Sequence, residues 1–298
     1  MATRVSLCVC TYRRPGVGDT IRSLLAQQGI SRSDIEIIVA DYDPGLSARE
    51  MVQNIASAAA LPVRYVVSAA QNISSCRNTC LNNSTADWIA FIDDDQVAEP
   101  QWLQQMLFAA EKFGADAVKS YVRGIYPRAT PDWIRTGAPY THDYGKTGTK
   151  VRLAATCGIL FRRDLPGGRE LFFDKGLGCT GGEDIEFFLR YRELGAKIIS
   201  CQSAIAEEIV PIERVDPSYL QKRYRLQGHI NGRIRVAKKT LLGRALSIAK
   251  SAIEVVITSL YPVLRPMPGA LAFRGFIKFW YHFGVLEWAL GREAGHRE

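Results

Sequence analysis

Four short apolar runs constrain this chain more than anything else in it. They cover Val5 to Cys10, Ile35 to Ala40, Val63 to Val67 and Trp88 to Ile92, and each is followed by polar residues and, after the first three, a helical spacing of apolar positions. Runs of this length, rich in β-branched and aromatic residues, read as strands buried on both faces. Strands that alternate with helices predict a mostly parallel sheet covered on both sides. At 298 residues and 47% hydrophobic composition, one large core is within reach.

Ligands of such sheets bind beyond the carboxyl ends of the strands. The first run breaks into Thr11-Tyr12-Arg13-Arg14-Pro15-Gly16, the second into Asp41-Tyr42-Asp43-Pro44-Gly45, and the fourth into Asp93-Asp94-Asp95. Three successive carboxylates repel one another, and a hard divalent cation such as Mg²⁺ or Mn²⁺ relieves that repulsion with oxygen ligands. An isolated acidic triplet is more often a solvated loop. Its placement at a strand end beside two other polar strand ends favours the metal reading.

A second landmark is the glycine-rich Gly176 to Gly182 segment, which feeds Glu183-Asp184-Ile185-Glu186-Phe187-Phe188. Acids in a first helical turn complement the helix dipole, so taken alone this pair reads as capping. The chain also predicts a helix opened by Pro100, a strand at 117–122, an irregular proline- and glycine-bearing segment at 123–150, and a strand at 156–161. Gly158 lies at the centre of that last strand, where it either packs or admits a ligand close to the backbone.

Charge is unevenly placed. Residues 1–210 carry 23 Lys and Arg against 24 Asp and Glu, whereas residues 211–298 carry 15 against 6. An anionic partner is therefore expected for the last third of the chain. Seven cysteines, an odd number in mostly apolar surroundings, and no apolar leader at the start give the expectation of reduced thiols in the cytoplasm. No His stands near Cys8 and Cys10 or near Cys76 and Cys80, so these pairs read as small buried hydrophobes and not as a zinc site.

Taken together, Val5 to Pro15, Ile37 to Asp41, Asn72 to Asn78, Phe91 to Asp95 and Gly181 to Asp184 resemble the motifs of family 2 glycosyltransferases, in particular the bacterial exopolysaccharide subgroup with succinoglycan-type glucosyltransferases. The likeness spans residues 4 to about 235. It implies a GT-A fold, Rossmann-like, with a mostly parallel sheet flanked by helices and a C-terminal helical, membrane-associated appendage. The catalytic domain would be 1–240, with a nucleotide-sugar half at about 1–98 and an acceptor half at about 99–240, and the appendage would be 241–298.

What the resemblance implies is inverting transfer of a hexose, with glucose as the expected sugar, from a UDP-sugar donor to a hydroxyl of a polyprenyl-diphosphate-linked oligosaccharide. It puts Thr11, Tyr12, Arg13, Asp41, Arg77, Asn78, Asp93 and Asp94 at the nucleotide, and Asp95 on Mn²⁺ or Mg²⁺. Asp184 is then the general base and Glu183 positions the acceptor. The chemistry needs this division: an acceptor hydroxyl must lose its proton as it attacks, and the leaving diphosphate develops charge that a cation neutralises.

One departure concerns Glu207, which stands where the subgroup commonly carries a metal-ligating His; a carboxylate is an equally suitable oxygen ligand for either ion. Arg223 and Arg225, on a basic helix near 217–228, are candidates for the donor diphosphate or acceptor phosphates, or for a solvated face.

From Leu241 on, Ile253, Val256, Ile257, Leu260 and Leu264 recur at helical spacing. After Pro262, Pro266 and Pro268, a second segment runs from Phe273 to Trp288 with Arg274 and Lys278. Neither segment has an uncharged run long enough to span a bilayer. Their basic and aromatic character fits an anionic membrane surface, at the cytoplasmic face of the inner membrane; the alternative is a helical appendage packed on protein.

Two other functions fit part of the sequence. A nucleotidyltransferase making nucleotide sugars shares this kind of sheet, but usually opens with a Gly-rich basic loop. A non-enzymatic binder of nucleic acid or another anionic polymer would use residues 211–298, where aromatics fall on apolar faces and are not interleaved for base stacking. No nucleic-acid-binding motif is present, so no nucleic acid partner is expected, and without a P-loop or G-x-G-x-x-G fingerprint neither ATPase nor dehydrogenase activity is expected.

Overall fold

The structure, a computed structural model, describes residues 5–165, 170–259 and 269–292. Leu260, Leu264, Pro262, Pro266 and Pro268 lie outside the described residues. The strands are β1 (Val5–Thr11), β2 (Ile35–Asp41), β3 (Val63–Val67), β4 (Trp88–Asp93), β5 (Gln96–Ala98), β6 (Ala117–Ile125), β7 (Ile159–Arg162) and β8 (Ile198–Ile209). The helices are α1 (Val17–Leu25), α2 (Arg49–Ala58), α3 (Ile73–Asn83), α4 (Trp102–Phe113), α5 (Asp132–Gly137), α6 (Glu183–Glu193), α7 (Pro217–Asn231), α8 (Leu241–Ser259) and α9 (Gly269–Ala289).

Eight strands among the described residues form one sheet in the order β3-β2-β1-β4-β7-β6-β8-β5. The first four are parallel, as the apolar runs predict, and β7 then pairs antiparallel with β4 and with β6. Period-2 alternation splits the core of this part. Leu7, Val9, Ile37 and Val39 face Ile21, Leu24, Trp102 and Met106 on one side. Cys8, Ile38 and Phe91 face Cys76, Cys80, Phe187 and Phe188 on the other. Covered on both faces, the strands have no polar side to show, which is why they read as continuous apolar runs.

Parallel pairing in register brings the strand ends together. Thr11 lies opposite Asp41, and Cys10 lies opposite both Ala40 and Asp93. The cysteines behave as expected of small hydrophobes: Cys8, Cys76, Cys80 and Cys201 are buried and all seven are free thiols. Burial pushes the Cys76 and Cys80 thiols well above the ordinary thiol value.

By its internal contacts the chain divides into two units. The first comprises 1–123, 141–179 and 183–209, and the second comprises 124–140, 180–182 and 210–298. The division expected at 240 thus falls inside the second unit, and α7, expected to close the catalytic domain, belongs with α8 and α9. The 123–150 segment is not wholly irregular, since it holds α5 and a bridge pairing Val122 with His142. Within the second unit, Ile134, Tyr140, Val215, Leu220 and Phe273 share a core. Helices α7 and α9 approach closely where Gly228 and Gly284 meet each other's backbones. No helix of the described residues is long and apolar enough to cross a membrane.

Candidate active site

Three strand ends and one helix start build the site. After β1 the chain turns through Arg13 at φ 54°, a left-handed conformation uncommon for a side-chain-bearing residue and often found at functional loops. The Arg13 guanidinium lies 5.1 Å from the centre of the Tyr12 ring, and its Nε donates to Asp43 at 3.0 Å. The Tyr12 and Tyr42 rings stack at 4.9 Å. Asp41 is buried, and both its oxygens are occupied: Oδ1 accepts from the Asp43 amide at 2.8 Å, and Oδ2 from the Tyr65 hydroxyl at 2.8 Å and the Ala48 amide at 3.3 Å. Asp41 therefore fastens the loop between β2 and α2.

At the end of β4 the three aspartates are each half-buried. Burial, and then the charge of Asp95, raise the Asp93 carboxyl above its ordinary value; Arg77 and Lys119 oppose this, and Asp184 adds to it. Asp94 is pushed up to about 7 by burial and then by Asp95, against the pull of the Thr11 hydroxyl and Arg14. Asp93 thus lies within the fields of both Asp95 and Asp184, so the two acidic landmarks, far apart in sequence, share one electrostatic neighbourhood.

The second landmark owes its shape to two glycines. Gly181 and Gly182 have φ of 81° and 85°, and a Cβ on Gly182 would strike Ile230 and Ile234. Arg233 holds this turn, donating to Thr180 Oγ1 and to the Gly181 carbonyl, each at 2.7 Å. Directly after it, α6 begins with Glu183, whose side chain is 1% exposed and accepts from Arg77 Nη1 at 2.5 Å. Asp184 is half-buried, and its Oδ1 accepts from the Ile185 amide at 2.7 Å. Burial lowers the pKa of Arg77, but Glu183 and then Asp184 outweigh it and raise the net value.

Several expected residues are committed elsewhere. Asn78 makes a two-way clasp with the Phe173 backbone, donating to its carbonyl at 2.9 Å and accepting from its amide at 2.8 Å. Arg225 forms a bidentate pair with Glu287 of α9, with both contacts at 2.5 Å, and the Arg223 guanidinium sits 4.5 Å from the Tyr140 ring centre. Strand alternation turns the adjacent acids of β8 to opposite faces. Glu207 pairs with Arg123 at 2.6 Å, near Glu99, whereas Glu208 is buried, and its charge acts on Cys157 along with those of Lys119, Asp93 and Asp184.

Among the described residues, no three His, Cys, Asp or Glu side chains form a metal-holding group by themselves. The donor set still fits a divalent cation. Mg²⁺-type sites commonly use one or two carboxylates and take their remaining ligands from water and substrate phosphates, and a crowded, half-buried acid cluster is where such a cation is needed.

Two residues lie outside the sequence motifs. Lys119 of β6 is fully buried and donates to the carbonyls of Cys157 and, at 3.2 Å, Gly158. A lysine inside an apolar strand was the available signal. Ser120 donates to the same Gly158 carbonyl at 2.9 Å, and a Cβ on Gly158, just before β7, would strike Ser120 Oγ, so Gly158 packs. Arg233 carried no signal, because only the fold brings it to the glycine turn.

A sheet of this order with an acid cluster after β4 and a second acid opening α6 defines a glycosyltransferase of the GT-A type. Residues 6–166 match the profile described as glycosyl transferase family 2. Over 287 residues the chain is 34% identical to the succinoglycan biosynthesis protein ExoM of Rhizobium meliloti (strain 1021), covering 96% of this chain and 93% of the relative. A glucosyl-dolichyl phosphate glucuronosyltransferase of Haloferax volcanii is 28% identical over 177 residues, 54% of this chain and 53% of that protein.

Among solved structures, a mannosyltransferase of Pyrobaculum calidifontis in complex with GDP-Man and Mn²⁺ aligns with a TM-score of 0.68 at 14% identity, covering 98% of this chain and 89% of that one. S. aureus TarS 1-349 in complex with UDP-GlcNAc aligns at 0.58 and 14%, covering 97% and 93%. The chain belongs to glycosyltransferase family 2.

Proposed function

We propose that the protein transfers a hexose, glucose in our reading, from a UDP-sugar to a hydroxyl of a polyprenyl-diphosphate-linked oligosaccharide in exopolysaccharide synthesis, at the cytoplasmic face of the inner membrane. The observation that supports this reading is that Asp93, at the end of β4, lies within the fields of both Asp95 and Asp184, while Arg77 pairs with Glu183 next to Asp184 in the chain. Similarity to a succinoglycan biosynthesis protein across nearly the whole chain supports the product class.

In this reading the loops after β1 and β2 hold the nucleotide, with Tyr12 and Arg13 forming its wall and Thr11 and Asp94 its floor. Asp41 acts through the loop it fastens. Asp95 would hold the cation, with Glu208 as the partner carboxylate in place of Glu207, which is engaged by Arg123. When bound, Mn²⁺ or Mg²⁺ supplies positive charge to the departing diphosphate.

Asp184 takes the proton of the acceptor hydroxyl as its oxygen bonds to the anomeric carbon; the bond from that carbon to UDP breaks, and the configuration inverts. Glu183 faces inward, so it acts by anchoring Arg77 beneath Asp184 and not by touching the acceptor. Arg225 ties α7 to α9.

A donor screen with Mn²⁺ and a lipid-linked acceptor tests the proposal, with Asp95→Asn and Asp184→Asn assayed alongside. Asp95→Asn should lose donor affinity; Asp184→Asn should keep it and lose turnover by at least about a hundredfold. Full activity in either variant refutes its assigned role. Pyrophosphate release from a nucleoside triphosphate, in place of UDP release with acceptor growth, would identify a nucleotidyltransferase.

A further inference from the structure

Helix α8 is turned inside out. Leu241, Leu242, Leu246, Ile253, Val256 and Ile257 are between 55% and 82% exposed. Ala245, Ala249 and Ala252 are exposed between them. At 3.6 residues per turn these positions make one continuous stripe.

The opposite side of the helix faces inward and carries its polar groups, with Ile248 and Val255 half-buried at its edge. Ser251 and Thr258 are buried, and Ser247 and Glu254 are half-buried. His282 Nδ1 lies 3.1 Å from Ser251 Oγ, and Lys278 reaches Glu254 at 3.4 Å, both from α9. A helix with water on its outer side does the reverse, presenting charge outward and burying its apolar stripe. Something apolar is needed to cover this face.

We infer that the outward stripe of α8 lies in the interfacial region of an anionic lipid bilayer, with the helix parallel to the surface. Charge selects this occupant. Lys238 leads into the helix and Lys250 borders the stripe, both exposed, while Lys239 donates to Ser247 at 2.7 Å, and α8 has no acid on its outer side. Such a rim matches anionic headgroups. A second copy of the chain meeting this face would bring the same lysines into opposition, and at about 28 Å with this composition the helix lies on a bilayer and does not cross it.

The inference deepens the proposed function by naming the surface that meets the lipid, but its evidence is independent of the sugar chemistry. The test uses the full chain in flotation with phosphatidylcholine vesicles, with and without phosphatidylglycerol. Wild type is expected to float with the anionic vesicles and to be released by salt.

Lys238→Ala/Lys250→Ala should weaken partition about twenty-five-fold, at about fivefold per charge. Leu246→Gln/Ile253→Gln/Val256→Gln, all at exposed positions, should abolish flotation while turnover on a water-soluble acceptor stays at the wild-type level. Equal flotation of wild type and the triple-Gln variant overturns the inference. So does a concentration-dependent dimer, without lipid binding, that the triple-Gln variant dissolves. If flotation behaves as expected but no nucleotide sugar is consumed on any acceptor, the transferase proposal fails and this inference stands.

Discussion

The Arg77–Glu183 pair is where stability and catalysis can be separated experimentally. Its side chains are 9% and 1% exposed and meet at 2.5 Å, so little solvent screens them. Removing one member of a buried pair leaves an uncompensated charge and costs about 3–5 kcal/mol. In Glu183→Gln the remaining guanidinium still has Asp184 and Asp93 nearby, which sets the expectation at the lower end, about 3 kcal/mol. For a unit of this size that corresponds to a fall in Tm of about 6–12 °C. Urea melts followed by tryptophan fluorescence give the free energy, since Trp88 and Trp102 are buried in the same unit.

Turnover should fall with stability, because Arg77 released from Glu183 closes on Asp184 and holds the base in an ion pair. Replacing both partners with apolar residues, Arg77→Met/Glu183→Leu, should recover most of the stability without recovering turnover, since Asp184 then lacks the counter-charge that orients it. A loss under about 1 kcal/mol in Glu183→Gln would show that the pair is not holding the unit together. Turnover restored in the double variant would show that Arg77 does not position Asp184.

Two further outcomes follow from contacts elsewhere. Burial would raise the Glu36 carboxyl, but the Ser6 hydroxyl at 2.5 Å, the Thr85 amide at 3.1 Å and Arg64 at 2.8 Å outweigh it, and its value is lowered. The unfolded chain therefore binds the proton more readily, so this contribution is complete above about pH 4.3 and is lost as pH falls through the folded value. Glu36→Gln should be less stable than wild type at pH 7, and the difference should shrink as pH falls below the ordinary carboxylate range. A constant difference at every pH would refute the assignment. At the α7–α9 crossing, a Cβ on Gly284 would meet the Arg225 carbonyl and lie 3.1 Å from the His229 amide, so Gly284→Ala should destabilise the second unit by about 1–3 kcal/mol. Thermal melts by circular dichroism check this, and an unchanged melt would mean that the helices separate freely.

How much of this was legible in the sequence depends on the distance over which each signal acts. The four parallel strands were readable because burial on both faces leaves an unbroken apolar run; the cap that starts α3, where the Asn72 side chain accepts from the Ser75 amide at 3.1 Å, came from the structure. The second half of the sheet was less legible. β5 has three residues, and β8 mixes Gln202, Ser203, Glu207 and Glu208 into its twelve, so no apolar run marks them. Which of Glu207 and Glu208 faces the site is a matter of register, and adjacent acids in a strand look alike until the partner strand is known.

The commitments that redirected Arg225, Asn78 and Glu183 bridge 62, 95 and 106 residues, a separation no local spacing encodes. Helix α8 is the clearest case. Its 3.6-residue period was plain, but periodicity reports only that two faces differ, and the ordinary inference that the apolar face turns inward is the one this structure reverses. The direction had to come from His282 and Lys278 on α9, which take the polar side of α8 and leave its leucines, isoleucines and valines outward. Since α9 lies later in the chain, α8 read alone could not disclose that its inner side carries serines and a carboxylate beside only Ile248 and Val255, and the apolar stripe is therefore better read as a contact surface than as a displaced piece of core.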